Sequence, residues 1–180
     1  MRRSEIVGLK WDAIDFANKT VVIRHSVSNV TVDGKYMTYT KDILKNKSSF
    51  RTLPLIPAIE TVLLKAKVTQ EKNRRLCGKS YNVACLDYVC VDCLGHLVSP
   101  GWVTQHFAYI IKKYELPKIR FHDLRHSCAS LLLQNGVSLK EIQEWLGHSN
   151  FSTTANIYSH LEYTSKPASA QTIQNVLGSG

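Results

Sequence analysis

The stretch VTVDGKYMTYT at 30–40 places Asp33-Gly34 between two runs of alternating residues. An Asp-Gly pair takes the positive φ angles of a tight two-residue turn at little cost, and period-two alternation suits strands with two unlike faces. An all-helical fold is therefore excluded. The β-branched run KTVVIRHSVS at 19–28 predicts a strand before this hairpin, and FRTLPL at 50–55 predicts one after it. An antiparallel sheet of about three strands is expected.

The remaining chain is patterned mainly for helices. Residues 2–10 read as a short helix, and 57–74 as an amphipathic one with a basic last turn from Lys72 to Arg75. Over 76–99 the pattern is irregular, with one strand predicted at 88–92 and a turn at Gly95. The helix expected at 100–114 turns Val103, Phe107, Ile110 and Ile111 inward. A helix over 122–135 stops at Asn135-Gly136, a suitable C-terminal cap, with Leu124, Cys128 and Leu131 expected in the core. Ser138 and Glu141 have capping-box spacing and open the next helix, which ends near Gly147. Short helices are expected at 152–159 and 167–177. The predicted fold class is α+β, mainly helical with a small antiparallel three-stranded sheet.

At 180 residues, with 44% hydrophobic and 21% charged residues, the chain can build a real core. It has no apolar run near the ~18 residues of a membrane span and no secretory pattern at its start. No membrane association and a cytoplasmic location are the expectations. A net charge of +9 points to a polyanionic partner or to a generally basic surface. The five cysteines are an odd set without an export signal, so free thiols are expected. Cys90-Val-Asp-Cys93 has zinc-like spacing but no matching second pair, and no metal is expected.

FHDLRHSCASLLLQNG at 121–136 carries an electrostatic oddity. His122, Arg125 and His126 share one side of the first turns of a helix whose N-terminus is already positive. They form either a surface edge eased by Asp123 or an anion site in which N–H groups, dipole and guanidinium converge on one oxyanion. Taken singly, other residues are equally open. Arg2 and Glu5 have ion-pair spacing, Lys45 and Lys47 make a basic connection, His148 follows Gly147 in a loop, and Tyr158 sits among polar neighbours.

Taken together, these residues resemble the tyrosine recombinases, or phage integrases. The matching stretches are MRRSEIVGLKW at 1–11, KNKSSFRTLPL at 45–55, FHDLRHSCASLLLQNGVSLKEIQEWLGHSN at 121–150 and TTANIYSHL at 153–161. The resemblance implies a catalytic set. Arg2 is similar to the first family arginine, with Glu5 as its acidic companion, and Lys45 to the hairpin lysine. His122 and Arg125 match the His-x-x-Arg pair, His148 the next position, and Tyr158 the nucleophile. Arg3, Lys47 and His126 are neighbours of the set.

The resemblance further implies cleavage and rejoining of double-stranded DNA through a 3′-phosphotyrosine, in integration or excision of a phage or mobile element, without metal or other cofactor. Family members act as tetramers on DNA, and residues 165–178 resemble the C-terminal segment that packs into a neighbouring subunit. Family members also carry an N-terminal DNA-clamping domain. With Arg2 as the second residue, that domain is expected to be absent. Residues 1–180 are then one catalytic domain shortened at its N-terminus, a homotetramer only in the full-length form and a monomer as this chain. Two other readings stand beside this one: a type IB topoisomerase-like enzyme, and a DNA-binding fragment without catalysis.

Overall fold

The structure is a computed structural model that describes residues 1–32, 35–42 and 50–148. The chain divides into two compact units, Met1–Arg125 and His126–Gly180.

In the first unit, helix α1 (Arg3–Val7) is shorter than the predicted 2–10. It ends at Gly8, where a Cβ would stand 2.7 Å from the Ser26 Cα. Only glycine lets the end of α1 lie this close to backbone. The run predicted as one strand at 19–28 is two, β2 (Thr20–Ile23) and β3 (His25–Val32). Val21, Ile23, His25 and Val27 are all buried, so the alternation crosses the break unchanged. What changes is the partner. Strand β2 lies between β1 (Ile14–Asp15) and β5 (Arg51–Pro54) in an antiparallel three-stranded sheet. Strand β3 pairs with β4 (Lys35–Asp42) in a separate two-stranded ribbon. The pairing sets Val32 opposite Lys35, as a two-residue connection requires, while Asp33-Gly34 itself lies outside the described residues. The three-stranded sheet therefore takes its third strand from Ile14–Asp15 rather than from the hairpin.

Two apolar clusters hold this unit. Ile14, Val21, Ile23, Leu55 and Leu63 form one, and Val7, Val27 and Tyr88 the other. Helix α2 (Pro57–Cys77) starts with proline at its first position, where a missing N–H costs nothing, and buries Leu63. Its Gln70 carboxamide accepts from the Trp11 indole at 2.9 Å and donates to the Val89 carbonyl at 2.6 Å, which ties the irregular segment back to the sheet. The strand predicted at 88–92 is not formed. Isolated bridges join Lys10 to Tyr88 and Val91 to Leu97 instead. Asp92 Oδ1 accepts the amides of Leu94 and His96, and this local turn, closed by Gly95 at φ +82°, displaces a longer ladder. Helix α3 (Pro100–Lys113) is capped by Ser99, whose Oγ accepts the Trp102 amide at 3.1 Å. Val103, Phe107, Ile110 and Ile111 are half-buried on it, as predicted.

Helix α4 (Asp123–Gln134) runs across the division between the units. Its expected core face is corrected. Leu124 and Leu131 are 42% and 61% exposed, Cys128 is half-buried, and the inward stripe runs through Arg125, Ala129, Leu132 and Leu133. That stripe also has helical spacing, one position along. It was hidden because its first member is an arginine. The second unit centres on Ala129, Leu139, Ile142 and Leu146. Gly136 at φ +81° ends α4, and Val137 donates back to the Leu132 carbonyl at 3.1 Å and packs on this cluster. Helix α5 (Leu139–Leu146) has the predicted capping box: Ser138 Oγ accepts from the Glu141 amide, and Glu141 Oε2 accepts from the Ser138 amide. The helices predicted at 152–159 and 167–177 lie outside the described residues. Among the described residues, no helix is long and apolar enough to cross a membrane.

Candidate active site

The site begins at the start of α1. Arg2 is extended, and its amide N–H donates to Glu5 Oε2 at 2.7 Å while its Nη1 donates to Oε1 at 2.8 Å. One carboxylate thus fixes both the backbone and the guanidinium of Arg2. Glu5 is only 2% exposed. A buried carboxylate needs strong partners, and a second one comes from β5. Arg51 Nη2 donates to Glu5 Oε2 at 2.9 Å and Nη1 to Oε1 at 3.3 Å. Burial pushes the Glu5 carboxyl up, but the hydrogen bonds and charge of Arg51, with the hydrogen bonds from Arg2, outweigh it and lower the pKa to about 2. The Arg2 side chain keeps 36% of its surface exposed.

Its open side faces a cleft of about 670 Å³. Arg2, Arg3 and Ser4 line one wall, Gly101 and Thr104 of α3 another, and Arg120 and His122 a third. The chain approaching α4 is pinned on both flanks of His122. Phe121 sets its ring edge-on to Phe107 of α3, with centroids 5.4 Å apart. Asp123 accepts from the Arg120 amide at 2.8 Å and from its Nη2 at 2.9 Å. His122 is exposed, and its carbonyl accepts the Arg125 amide at 3.0 Å in the first turn of α4. Arg125 is 6% exposed, and His126 is half-buried.

Of the residues singled out from the sequence, Arg2 and His122 thus share one cleft, with Glu5 behind Arg2 and Arg125 one turn beyond His122. His148 stands in the second unit, just past α5. Its amide donates to the Gln143 carbonyl and its carbonyl accepts from Gln143 Nε2, both at 3.1 Å. Lys45 and Tyr158 lie outside the described residues. One residue was missed. Arg51 sits in FRTLPL, where alternation turns 51, 53 and 55 inward. An arginine at a core-facing strand position demands a buried carboxylate, and that was the available signal.

Three arginines and a histidine around one cleft make an anion site. Guanidinium forks suit a phosphate because they can donate to two oxygens at once. The cysteines are placed otherwise. Cys90 Sγ donates to the Ile6 carbonyl at 3.4 Å, burial pushes its thiol up, and Cys77 Sγ approaches the Cys93 carbonyl at 3.6 Å. Among the described residues, no three His, Cys, Asp or Glu side chains gather as a metal site.

Comparison with known proteins points the same way. The chain is 32% identical over 182 residues to a "Tyrosine recombinase XerC-like" protein of Caldanaerobacter subterraneus subsp. tengcongensis, covering 98% of this chain and 46% of that protein. It is 26% identical to the "ICEBs1 integrase" of Bacillus subtilis, covering 98% and 46%. The chain therefore spans less than half the length of these relatives. Among solved structures, the Tn1549 transposon integrase in complex with transposon right end DNA superposes with a TM-score of 0.76 at 24% identity, over 96% of this chain and 54% of that one. XerA recombinase gives 0.62 at 22% identity, over 93% and 53%. The first of these has the same α+β fold, with a small antiparallel sheet and helices. The model of the phage integrase family matches residues 1–165, and with that match the chain belongs to the phage integrase family.

Proposed function

We propose that this chain is the strand-cleaving and strand-joining part of a site-specific DNA recombinase. The observation that carries the reading is that Arg2 and His122, from opposite ends of the first unit, line one cationic cleft. A phosphodiester repels nucleophiles, and its substitution places extra charge on the non-bridging oxygens. Arg2 and Arg125 stabilise that charge, with the N-terminus of α4 and His148 adding hydrogen bonds. The Tyr158 hydroxyl, with an ordinary pKa of about 10, gives its proton to His122 as its oxygen attacks phosphorus. The P–O5′ bond breaks, a 3′-phosphotyrosine forms, and Lys45 protonates the departing 5′ oxygen. Attack by another 5′ hydroxyl reverses these steps and joins strands. The phosphotyrosine conserves the bond energy, so the residues named suffice without metal or nucleotide. The partner is double-stranded DNA, engaged in the cytoplasm by a homotetramer of the longer protein.

The test uses nicked duplexes tiled across the DNA flanking the gene. Wild-type chain should form a denaturation-resistant adduct with one of them, and Tyr158→Phe should form none. Binding should weaken steeply between 50 and 200 mM salt as phosphate contacts release counterions, by about tenfold or more. An adduct that survives Tyr158→Phe, or no adduct from any tile, defeats the proposal.

A further inference from the structure

We infer that Arg51 is a positioning residue for the same chemistry: by holding Glu5 it fixes Arg2 toward the phosphate. The inference rests on the recombinase reading for its consequence but on separate geometry for its substance. Glu5 links Arg51 to Arg2, and both of its carboxylate oxygens are used from both sides. Arg51 takes Oε2 at 2.9 Å and Oε1 at 3.3 Å, while Arg2 takes Oε2 through its amide and Oε1 through Nη1. The two arginines differ in exposure. The Arg51 side chain is 7% exposed and that of Arg2 is 36%. Arg51 therefore lies behind the carboxylate, and Arg2 lies at the cleft.

The placement on the chain adds to this. Arg51 opens β5, paired opposite Ile23, so it is carried by the three-stranded sheet rather than by a loop. Arg2 precedes a helix of only five residues, which by itself is too short to hold a guanidinium still. A carboxylate shared with a strand supplies the missing rigidity, as a partner that orients a metal-ligating side chain does from behind. The charged and titratable groups around Glu5 are Arg2 on α1 and Arg51 on β5, with Lys10, Arg24 and His25 lining the small pocket beside it. Of these, Arg51 and Arg2 favour the ionised carboxylate. Loss of Arg51 removes the most direct of them.

The experiment compares wild type, Arg51→Met and Arg51→Lys in the full chain, by two readouts. The first is independent of cleavage. Inorganic phosphate is titrated against 15N-labelled protein, and the Arg2 Nε–H signal is followed, assigned by its loss in Arg2→Lys. Arg51→Met should need at least tenfold more phosphate, and Arg51→Lys should recover to within about threefold of wild type. The second is single-turnover cleavage of the nicked duplex. Arg51→Met should cleave about a hundredfold more slowly with duplex affinity within threefold of wild type. Its rate should gain a limb that rises with pH as the buried Glu5, now less supported, ionises, and Arg51→Lys should move that limb back toward acid. A role in folding alone would lower binding and cleavage together, leave the pH profile unmoved and gain nothing from lysine. Equal phosphate affinity in wild type and Arg51→Met overturns the inference. Wild type that binds phosphate through Arg2 but forms no adduct overturns the recombinase reading, while the phosphate titration still decides the role of Arg51.

Discussion

Two helices of this molecule are preceded by an arginine that pairs with a carboxylate three residues on, in the first turn, and the two pairs do different work. At α1, Arg2 meets a carboxylate whose side chain is 1% exposed and which also holds Arg51. At α4, Arg120 meets Asp123, whose side chain is 29% exposed, while Arg120 itself is 84% exposed. Both pairs are close, at 2.8 and 2.9 Å. Distance therefore does not separate them. Burial and a second cation do. A buried carboxylate is costly to leave unmatched, so its partners are held tightly, whereas an exposed pair competes with water and salt. The first pair can fix a guanidinium. The second shapes the turn that presents His122.

Breaking the buried pair should have the largest effect. Glu5→Ala leaves Arg51 buried without its carboxylate and should cost about 3–5 kcal/mol, read as a lower midpoint in urea unfolding. Acid should then reveal the same linkage without mutation. The Glu5 pKa is lowered from 4.5 to about 2, so the folded form binds this proton less readily than the unfolded chain. Its contribution, roughly 3 kcal/mol, is present above pH ~4.5 and is lost as pH falls toward about 2. Urea midpoints across that range should fall more in wild type than in Glu5→Gln. Removing both partners should separate stability from placement. The double variant Glu5→Leu with Arg51→Met should recover to within about 1–2 kcal/mol of wild type in the same melts, because matched apolar groups carry no unpaired charge. Smallest of all, Asp123→Ala should lower the urea midpoint far less than Glu5→Ala does, and 0.5 M salt should shrink its effect. A larger loss from Asp123→Ala than from Glu5→Ala would reverse the contrast.

The same contrast explains what the sequence made legible. Local chemistry was readable. Ser138 and Glu141 specified their capping box, Asn135-Gly136 ended α4, and the alternation through Val21 and Val27 marked strand residues. Arg2 and Glu5 were paired from their spacing alone. Nonlocal chemistry was not readable in the same way. Nothing near Ile23 announces that β2 gives up its partner there, because the alternation continues and the change lies in which strand arrives. Leu124 and Leu131 read as core because they are apolar, yet the buried stripe starts with Arg125. Arg51 escaped because its carboxylate partner is remote in sequence, and only the arrival of Glu5 makes its inward position tolerable. Lys45 and Tyr158 were identified through resemblance, and they lie outside the described residues.

The junction of Glu5 and Arg51 also bears on the order in which the chain folds. The two residues are 46 apart in sequence, and β1 to β5 lie within or beside the loop that their contact closes. Closing such a loop costs entropy before any contact rewards it, so local turns and helices form first and this junction forms with the sheet. Until then the Arg2 guanidinium has no fixed direction. The phosphate-facing geometry is therefore a late product of folding. A partly folded chain has the positive charge to attract a polyanion but not the arrangement to act on one.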